Sequence, residues 1–267
     1  MESICEDAPN MFNLIKIKNM KEKIALIDGD SLIYFEMGKP TLEDAIDSLD
    51  HRLHEMIDRC GADRYAGFLT IGKCFRYKEA KTRKYKGNRK HGNKPIIFYA
   101  LKEYLKQEWK FEYIPELEAD DLVAVYANEN TMICSPDKDV LYQNKACNYN
   151  YGKAEMVSVD ENESLRFLWK QTLMGDSTDG IQGIPKVGPK TADKLLYDMP
   201  LQELPEFVLK KYIETFGTHE GICKFAETFR LVYILKSKED VLRETGIELK
   251  ELVINDVKPL NENDEWL

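Results

Sequence analysis

Nine acidic side chains in four short clusters are the residues of this 267-residue chain best suited to chemistry. Each cluster falls where a strand or helix is predicted to begin or end: Asp28 with Asp30, Glu118 with Asp120 and Asp121, Asp137 with Asp139, and Asp176 with Asp179. Carboxylates that meet repel one another strongly unless cations neutralise them. Oxygen ligands without His or Cys favour Mg²⁺ or Mn²⁺. The four clusters together predict a divalent-cation site, whereas each pair alone is typical of a solvated turn.

A basic segment, residues 73–94, interrupts an otherwise acidic chain. It contains ten Lys or Arg residues against one acid, Glu79, although the whole chain has a formal net charge of −9. A basic stripe on an acidic body suits a protein that grips phosphates on one side and holds cations on the other. The interleaved Phe75, Tyr77 and Tyr85 favour nucleic acid, because aromatic rings stack on unpaired bases. The alternative is a solvated basic loop.

The elements that must position these residues alternate between strand and helix up to about residue 165. IALI, RYAGFLTIG and TMICS are predicted as strands, and the segment Leu42 to Cys60 as an amphipathic helix. This alternation predicts an α/β fold with a doubly wound, mostly parallel sheet. Acidic loops then gather at the carboxyl ends of the strands, where open α/β sheets place their sites.

From about residue 165 the pattern becomes helical only. We predict a leader at 1–22, a catalytic lobe at 23–165, a helical module at 166–238 and a charged peripheral tail at 239–267. Asp176 and Asp179 must fold back onto the first lobe if they share its cations.

The segment 183–196, GIPKVGPKTADKLL, has the form of a helix-hairpin-helix turn. Gly183 and Gly188 permit close backbone approach, so that amide groups at the N-terminus of the second helix can hold a phosphate. Lys190 and Thr191 follow directly, and Lys190 adds charge. Such a turn binds DNA without reading bases. The alternative is an ordinary turn between helices.

In this order, the motifs DGDSL, YKGNRK, EADD, SPDKD and MGDSTDGIQGIPKVGPKTA resemble the flap endonuclease and 5′→3′ exonuclease family, particularly its phage branch. The match covers roughly residues 24–200. The resemblance implies a PIN-like α/β lobe with two divalent ions, a basic arch or clamp, and a helix-three-turn-helix module that grips duplex DNA.

The resemblance also implies individual roles. One metal is assigned to Asp28, Glu118, Asp120 and either Asp137 or Asp139, and the other to Asp139, Asp176 and Asp179 with either Asp121 or Asp137. Lys86 and Arg89 match the active-site cations, and Tyr85 matches the position that stacks on a nucleobase. Lys84 and Lys90 are expected to contact DNA, as are Gly183, Gly188, Lys190 and Thr191. A monovalent cation such as K⁺ is expected at the hairpin turn.

Two-metal hydrolysis agrees with this residue set. Two ions about 4 Å apart make a water nucleophilic and neutralise the leaving oxygen, while Lys86 and Arg89 stabilise the charged phosphate. Alternatively, Lys86 and Arg89 simply bind the phosphate backbone of the DNA and contribute to affinity rather than to catalysis. One departure is that many relatives carry an Asp at the end of the second strand, where this chain has Thr70. Asp30 is a residue that can compensate.

The composition, with 32% charged residues, no apolar run long enough to span a membrane and no secretory signal, predicts a cytosolic protein. The resemblance further implies a bacterial or phage-infected cell, and we expect a monomer. The six cysteines lack metal-type spacing. We therefore predict a Mg²⁺-dependent 5′ nuclease acting on DNA ends, flaps or junctions, and on RNA–DNA hybrids, in replication or repair. The alternatives are a PIN-type ribonuclease, which has no need for the hairpin, and a DNA-junction binding protein without catalysis.

Overall fold

The computed structural model describes residues 22–89 and 94–258. The predicted leader therefore lies outside the described residues except for Glu22, and Lys90 of the basic segment lies outside them as well.

A six-stranded sheet forms the centre of the first lobe. The strands of the protein are β1 (Ile24–Asp28), β2 (Arg64–Phe68), β3 (Thr131–Cys134), β4 (Ala146–Asn150), β5 (Glu155–Val159), β6 (Gly175–Asp176), β7 (Ile181–Gln182) and β8 (Asn255–Asp256). The sheet has the order β5-β4-β3-β1-β2-β8, and β6 pairs with β7 in a separate hairpin. The pairs β1–β2, β1–β3 and β3–β4 are parallel, whereas β5 and β8 join the edges antiparallel. The predicted α/β fold with a mostly parallel sheet is confirmed.

Helices cover both faces of this sheet. In the first lobe they are α1 (Asp30–Glu36), α2 (Leu42–Arg59), α3 (Arg76–Glu79), α4 (Ile96–Gln107), α5 (Ala119–Val125) and α6 (Lys138–Gln143). Successive residues of a strand point to opposite faces. Ala25 and Ile27 of β1 accordingly pack in one core cluster with α2 and α4, while Leu26 packs in another with α5. Burial on both faces explains why β1 reads as a continuous apolar run.

The rest of the described chain is mainly helical, as predicted. It contains α7 (Glu161–Met174), α8 (Pro189–Leu196), a 3₁₀ turn (Leu201–Glu203), α9 (Leu204–Phe216), α10 (Thr218–Val232) and α11 (Lys238–Thr245). We call α7 to α10, with the β6–β7 hairpin, the helical module. Asp160 caps α7 and forms a reciprocal capping box with Glu163, which sets the start of the helix at Glu161. A domain boundary at residue 165 would therefore fall inside a helix.

Residues 239–258 do not form the peripheral tail expected from their charge. Val241 of α11 is fully buried and packs in the same core cluster as Leu26, and Leu249 belongs to that cluster too. β8 then adds to the free edge of β2. The apolar positions of this stretch are few and widely spaced. Its many charged residues therefore suggested a solvent-exposed tail, although the segment packs against the first lobe.

Candidate active site

The acidic clusters meet at one edge of the sheet because of strand direction. Asp28 is the last residue of β1, and Asp137 follows the adjacent parallel strand β3 by three residues. Glu118 is the N-cap residue of α5, and Asp176 lies in β6, which the helical module carries back to this edge. The predicted return of the module onto the first lobe therefore places its acids beside those of the lobe.

Eight acidic side chains line two adjoining cavities at this edge. The larger cavity, of about 300 Å³, is lined by Asp28, Asp30, Glu118, Asp120 and Asp137. The smaller is lined by Asp139, Asp176 and Asp179 and shares Glu118, Asp120 and Asp137 with the larger. We call these eight residues the acidic centre. It contains every predicted metal-ligating residue except Asp121, together with Asp30.

Ser135 links two of the clusters at the end of β3. Its hydroxyl donates to Asp28 Oδ2 at 2.8 Å and accepts from the backbone N–H of Asp137 at 3.1 Å. Asp137 Oδ1 in turn accepts from the N–H of Asp139 at 2.8 Å, which caps α6. The side chains of Asp28 and Asp137 are therefore each held by a hydrogen-bond donor at the end of β3.

Burial and mutual repulsion make the acidic centre electrostatically costly. Burial and the nearby Asp30 raise the pKa of Asp28 to about 7, and burial and Asp137 raise the pKa of Asp139 to about 7. The pKa of Asp120 is raised well above its ordinary value by burial, Asp28 and Asp137. Raised carboxyl pKa values mean that the ionised cluster is destabilised unless positive charge is supplied.

Lys86 and Arg89 supply part of that charge from the basic segment. Lys86 Nζ donates to Glu118 Oε1 and lies 3.6 Å from Asp179 Oδ2, and Arg89 donates to Asp179 Oδ1. Although burial alone would raise the pKa of Glu118, Arg76 and Lys86 lower it to about 2. Both predicted catalytic cations line the larger cavity, so the structure brings them together with the acids.

The acidic centre has the donor types that a divalent cation requires. Its side chains provide only carboxylate oxygens. Asp139 Oδ1 is buried without a hydrogen bond in the described part of the chain, with the Lys138 ammonium 3.7 Å away. Within residues 22–89 and 94–258, however, no three acidic, His or Cys side chains are arranged as a ready set of metal ligands. Glu118 and Asp179 are instead paired with Lys86 and Arg89.

Asp121 is placed outside the cavities, and we remove it from the candidate metal ligands. Arg76 donates to both of its carboxylate oxygens at 2.7 Å, and the backbone N–H of Leu235 adds a third bond at 3.1 Å. The side chain is fully buried. Because Asp121 is the third residue of α5, its side chain turns back toward the helix N-terminus, in a capping box with Glu118.

Tyr85 does not present its ring for base stacking. Only 4% of the residue is exposed, because the ring packs edge-on against Tyr77 at 5.2 Å in a cluster with residues of the helical module. Its hydroxyl oxygen lies 2.9 Å from Glu118 Oε2 and 3.1 Å from Asp179 Oδ2, so its single proton bonds to one carboxylate or is shared between them. The predicted stacking role is therefore wrong for this conformation, and the residue instead orients two members of the acidic centre.

Tyr34 is an aromatic residue that the sequence analysis missed. It is 48% exposed, lines the larger cavity and packs edge-on against Phe98 at 5.5 Å between ring centroids. Lys94 Nζ lies 4.4 Å from the centroid of the Tyr34 ring. A signal was available in the sequence, since Tyr34 follows Asp30 by four residues and lies on the same face of α1.

Asp30 lies beside the position where the second strand lacks an acid. Its Oδ1 accepts the backbone N–H of Thr70 at 2.9 Å, and Thr70 Oγ1 accepts the N–H of Ala119 at 2.9 Å. Asp30 thus brings a carboxylate to the end of β2 from the neighbouring helix. This geometry is consistent with the predicted compensation.

The two glycines of the hairpin turn differ in the space available for a side chain. A Cβ atom at Gly183 would lie 2.1 Å from the backbone carbon of Met174, so the close approach there excludes any side chain. At Gly188, the N-cap of α8, no described protein atom lies within 4 Å of an added Cβ. Lys190 and Thr191 are exposed in the first turn of α8. The helix N-terminus is therefore open to an approaching phosphate.

These features define a class of protein: an α/β lobe with an acidic centre, a basic segment that contributes side chains to that centre, and a helical module packed beside it.

No family model matches the chain. The fold is that of the flap endonuclease of bacteriophage T5 bound to DNA and metal ions, with a TM-score of 0.54, 17% identity and coverage of 85% of this chain and 100% of that chain. The T5 protein co-crystallised with metal ions gives a TM-score of 0.59 at 17% identity, over 83% of this chain and 93% of that one.

The sequence relatives carry matching names, which confirms the resemblance. The chain is 33% identical to the exodeoxyribonuclease of Enterobacteria phage T3 over 144 residues, which are 50% of this chain and 47% of the relative. It is 26% identical to the flap endonuclease Xni of Shewanella halifaxensis over 193 residues, covering 65% of this chain and 77% of the relative. The match spans less than half of the first of these relatives.

Proposed function

We propose that the protein is a divalent-cation-dependent, structure-selective 5′ nuclease that hydrolyses DNA phosphodiesters at 5′ ends, flaps or single-strand to double-strand junctions. The observation that carries this proposal is the acidic centre in two adjoining cavities, with Lys86 and Arg89 on the wall of the larger one. The relatives named exodeoxyribonuclease and flap endonuclease support the same reaction. We place its work in DNA replication or repair, as a monomer in a bacterial or phage-infected cytosol.

Seven of the eight residues of the acidic centre would divide between two Mg²⁺ or Mn²⁺ ions, while Asp30 lies beside them at the end of β2. Asp28, Glu118 and Asp120 would hold one, and Asp139, Asp176 and Asp179 the other, with Asp137 between them. When bound, paired cations supply a nucleophilic water at neutral pH and neutralise the leaving oxygen. A K⁺ ion at the hairpin turn is part of the proposal.

Lys86 and Arg89 act on the phosphate rather than on the cations. Arg89 forms a planar fork that matches two phosphate oxygens, whereas Lys86 provides a point charge. Lys86 and Arg89 pair with Glu118 and Asp179 in the absence of a cation, and both line the larger cavity. With those carboxylates holding a cation, the two basic side chains would be free to bind a phosphate in that cavity. There they stabilise the negative charge that grows on the phosphate.

Cleavage of a 5′-labelled flap, a blunt duplex and a single-stranded RNA, each with Mg²⁺ or with EDTA, tests the proposal. We expect Mg²⁺-dependent release of short products from the DNA flap or duplex, and activity on an RNA–DNA hybrid would extend the substrate range. Preferential cutting of single-stranded RNA would favour the PIN-type ribonuclease. Tight junction binding with no cutting in any metal would leave a DNA-binding protein without catalysis.

Tyr34→Ala is expected to weaken binding of a flap substrate. Stacking of a base on an aromatic ring contributes about 1–3 kcal/mol, and Tyr34 is the exposed ring at the cavity that holds the acids. Fluorescence anisotropy of a labelled flap in EDTA measures the change. Tyr99→Ala is the matched control, because Tyr99 is 59% exposed on α4 and does not line that cavity. Equal affinities for both variants would contradict a stacking role.

Lys190→Ala is expected to lower duplex affinity and its salt dependence. One lost phosphate contact reduces the slope of log affinity against log salt by about 0.9. Lys210→Ala, which removes an exposed lysine from α9, serves as the control and should leave the slope unchanged. Titration of a duplex at several NaCl concentrations gives both slopes, and an unchanged slope for Lys190→Ala would remove the hairpin from the DNA interface.

A further inference from the structure

Arg76 belongs to the basic segment but is buried, and it lines the smaller cavity of the acidic centre. Only 2% of the residue is exposed, and its guanidinium lies 4.7 Å from the centroid of the Phe75 ring. A buried guanidinium is costly unless its donors are all paired. The partners of Arg76 therefore indicate what the residue does.

On the side of the first lobe, Arg76 holds the beginning of α5. Nη1 and Nη2 donate to the two oxygens of Asp121 at 2.7 Å each, and Nη1 also donates to Glu118 Oε2 at 3.1 Å. Glu118 is the N-cap of α5, and Asp120 lies in its first turn. Arg76 thus contacts the turn that carries two members of the acidic centre through Glu118 and Asp121.

On the other side, Arg76 binds the end of α10. Nε donates to the carbonyl of Leu231 at 3.2 Å and Nη2 to the carbonyl of Tyr233 at 2.7 Å, where the helix leaves its last carbonyls unpaired. The same helix anchors the basic segment, because Glu227 accepts the N–H groups of Lys81 and Thr82 at 2.7 Å each. Arg76 therefore lies where the basic segment, α5 and the helical module meet.

We infer that Arg76 is a positioning residue that fixes Glu118 for cation binding and couples the acidic centre to the helical module. The inference rests on the proposed function. Five hydrogen bonds leave the planar fork of Arg76 in fixed directions, and a lysine, with three donors and no fork, cannot make them all. Arg76→Lys keeps the charge and removes this geometry.

Arg76→Lys is expected to weaken Mn²⁺ binding and to slow single-turnover flap cleavage, each by about 10- to 100-fold, as is usual for partners that orient metal ligands. Flap affinity in EDTA should not change. Mn²⁺ affinity is measured by calorimetry on the full chain, and thermal unfolding reports stability. Gln143→Leu is the control, because Gln143 is buried at the same junction, bonded to Val232 and Ile234, and touches no acid of the centre.

A purely structural role predicts that both variants lower the unfolding temperature while Mn²⁺ affinity and cleavage rate stay as in the parent, and that result would overturn the inference. If Arg76→Lys does not fold, Arg76→Gln combined with Asp121→Asn removes both buried charges and must show the same loss of Mn²⁺ affinity. The parent chain separates the two claims: if it neither binds Mn²⁺ nor cuts the flap, the proposed function fails before Arg76 is considered.

Discussion

Replacing Asp120 with Asn is expected to slow flap cleavage by about 10³-fold or more. Asp120 lines both cavities of the acidic centre and is one of the three residues proposed to hold the first cation, so its loss weakens that site. Bound cations contribute several kcal/mol of transition-state stabilisation, and each 1.36 kcal/mol corresponds to about a tenfold change in rate. Single-turnover cleavage of a 5′-labelled flap at saturating Mg²⁺ measures the effect.

The same substitution should raise the unfolding temperature in EDTA at neutral pH. The raised pKa of Asp120, caused by burial and by Asp28 and Asp137, shows that its ionised form is unfavourable in the fold. A neutral amide of the same shape removes that repulsion, so stability rises while activity falls. Asp47→Asn, at an exposed position of α2, should change neither quantity. An Asp120→Asn variant that cleaves at the parent rate would contradict the assignment.

Lys86→Ala is expected to reduce the single-turnover rate by about 10²- to 10³-fold, the usual effect of losing one preorganised charge that faces the reacting group. Lys86 lines the larger cavity and bonds to Glu118 there. Its backbone has a φ of 53°, an uncommon conformation for a residue with a side chain. The N–H of Lys86 bonds to the carbonyl of Asp179 at 2.7 Å, which helps to hold this conformation. Such local strain is often found at functional residues.

Lys84→Ala separates catalysis from simple attraction. Lys84 is an exposed lysine of the same segment, so its loss should weaken DNA binding in a salt-dependent way without changing the rate at saturating DNA. If Lys86→Ala behaves in the same way as Lys84→Ala, Lys86 is a backbone tether rather than a catalytic residue. Thermal unfolding of both variants checks that the lost ion pair with Glu118 has not disrupted the fold.

Much of this molecule follows from local sequence patterns. The strands β1 and β3 were predictable from their apolar residues. The meeting of the acids at or just after their ends was predictable because parallel strands place their carboxyl ends at one edge of the sheet. The eight acids of the centre include seven of the eight predicted ligands. The close backbone approach at Gly183 was also predictable, because only glycine leaves room for a second backbone segment there.

The misassigned residues depend on partners that are distant in the chain. In the sequence, nothing separates Asp121 from its neighbour Asp120. In the structure, Asp121 forms a buried ion pair with Arg76, which is 45 positions away in the chain, whereas Asp120 faces the cavities. Tyr85 was assigned to base stacking from its place in the basic segment and from the family resemblance, yet the helical module covers its ring. Residues 239–258 were read as a tail because the charge of their sequence hides the few buried positions, such as Val241.

The central claim is that the acidic centre binds two divalent cations. Crystals grown with Mn²⁺ and measured at the manganese absorption edge test it most directly. The account predicts two anomalous peaks within the two cavities, one near Asp28 and Asp120 and the other near Asp139 and Asp176, with Glu118 released from Lys86. An absence of peaks in both cavities at saturating Mn²⁺, in crystals whose protein still cleaves DNA in solution, would contradict it.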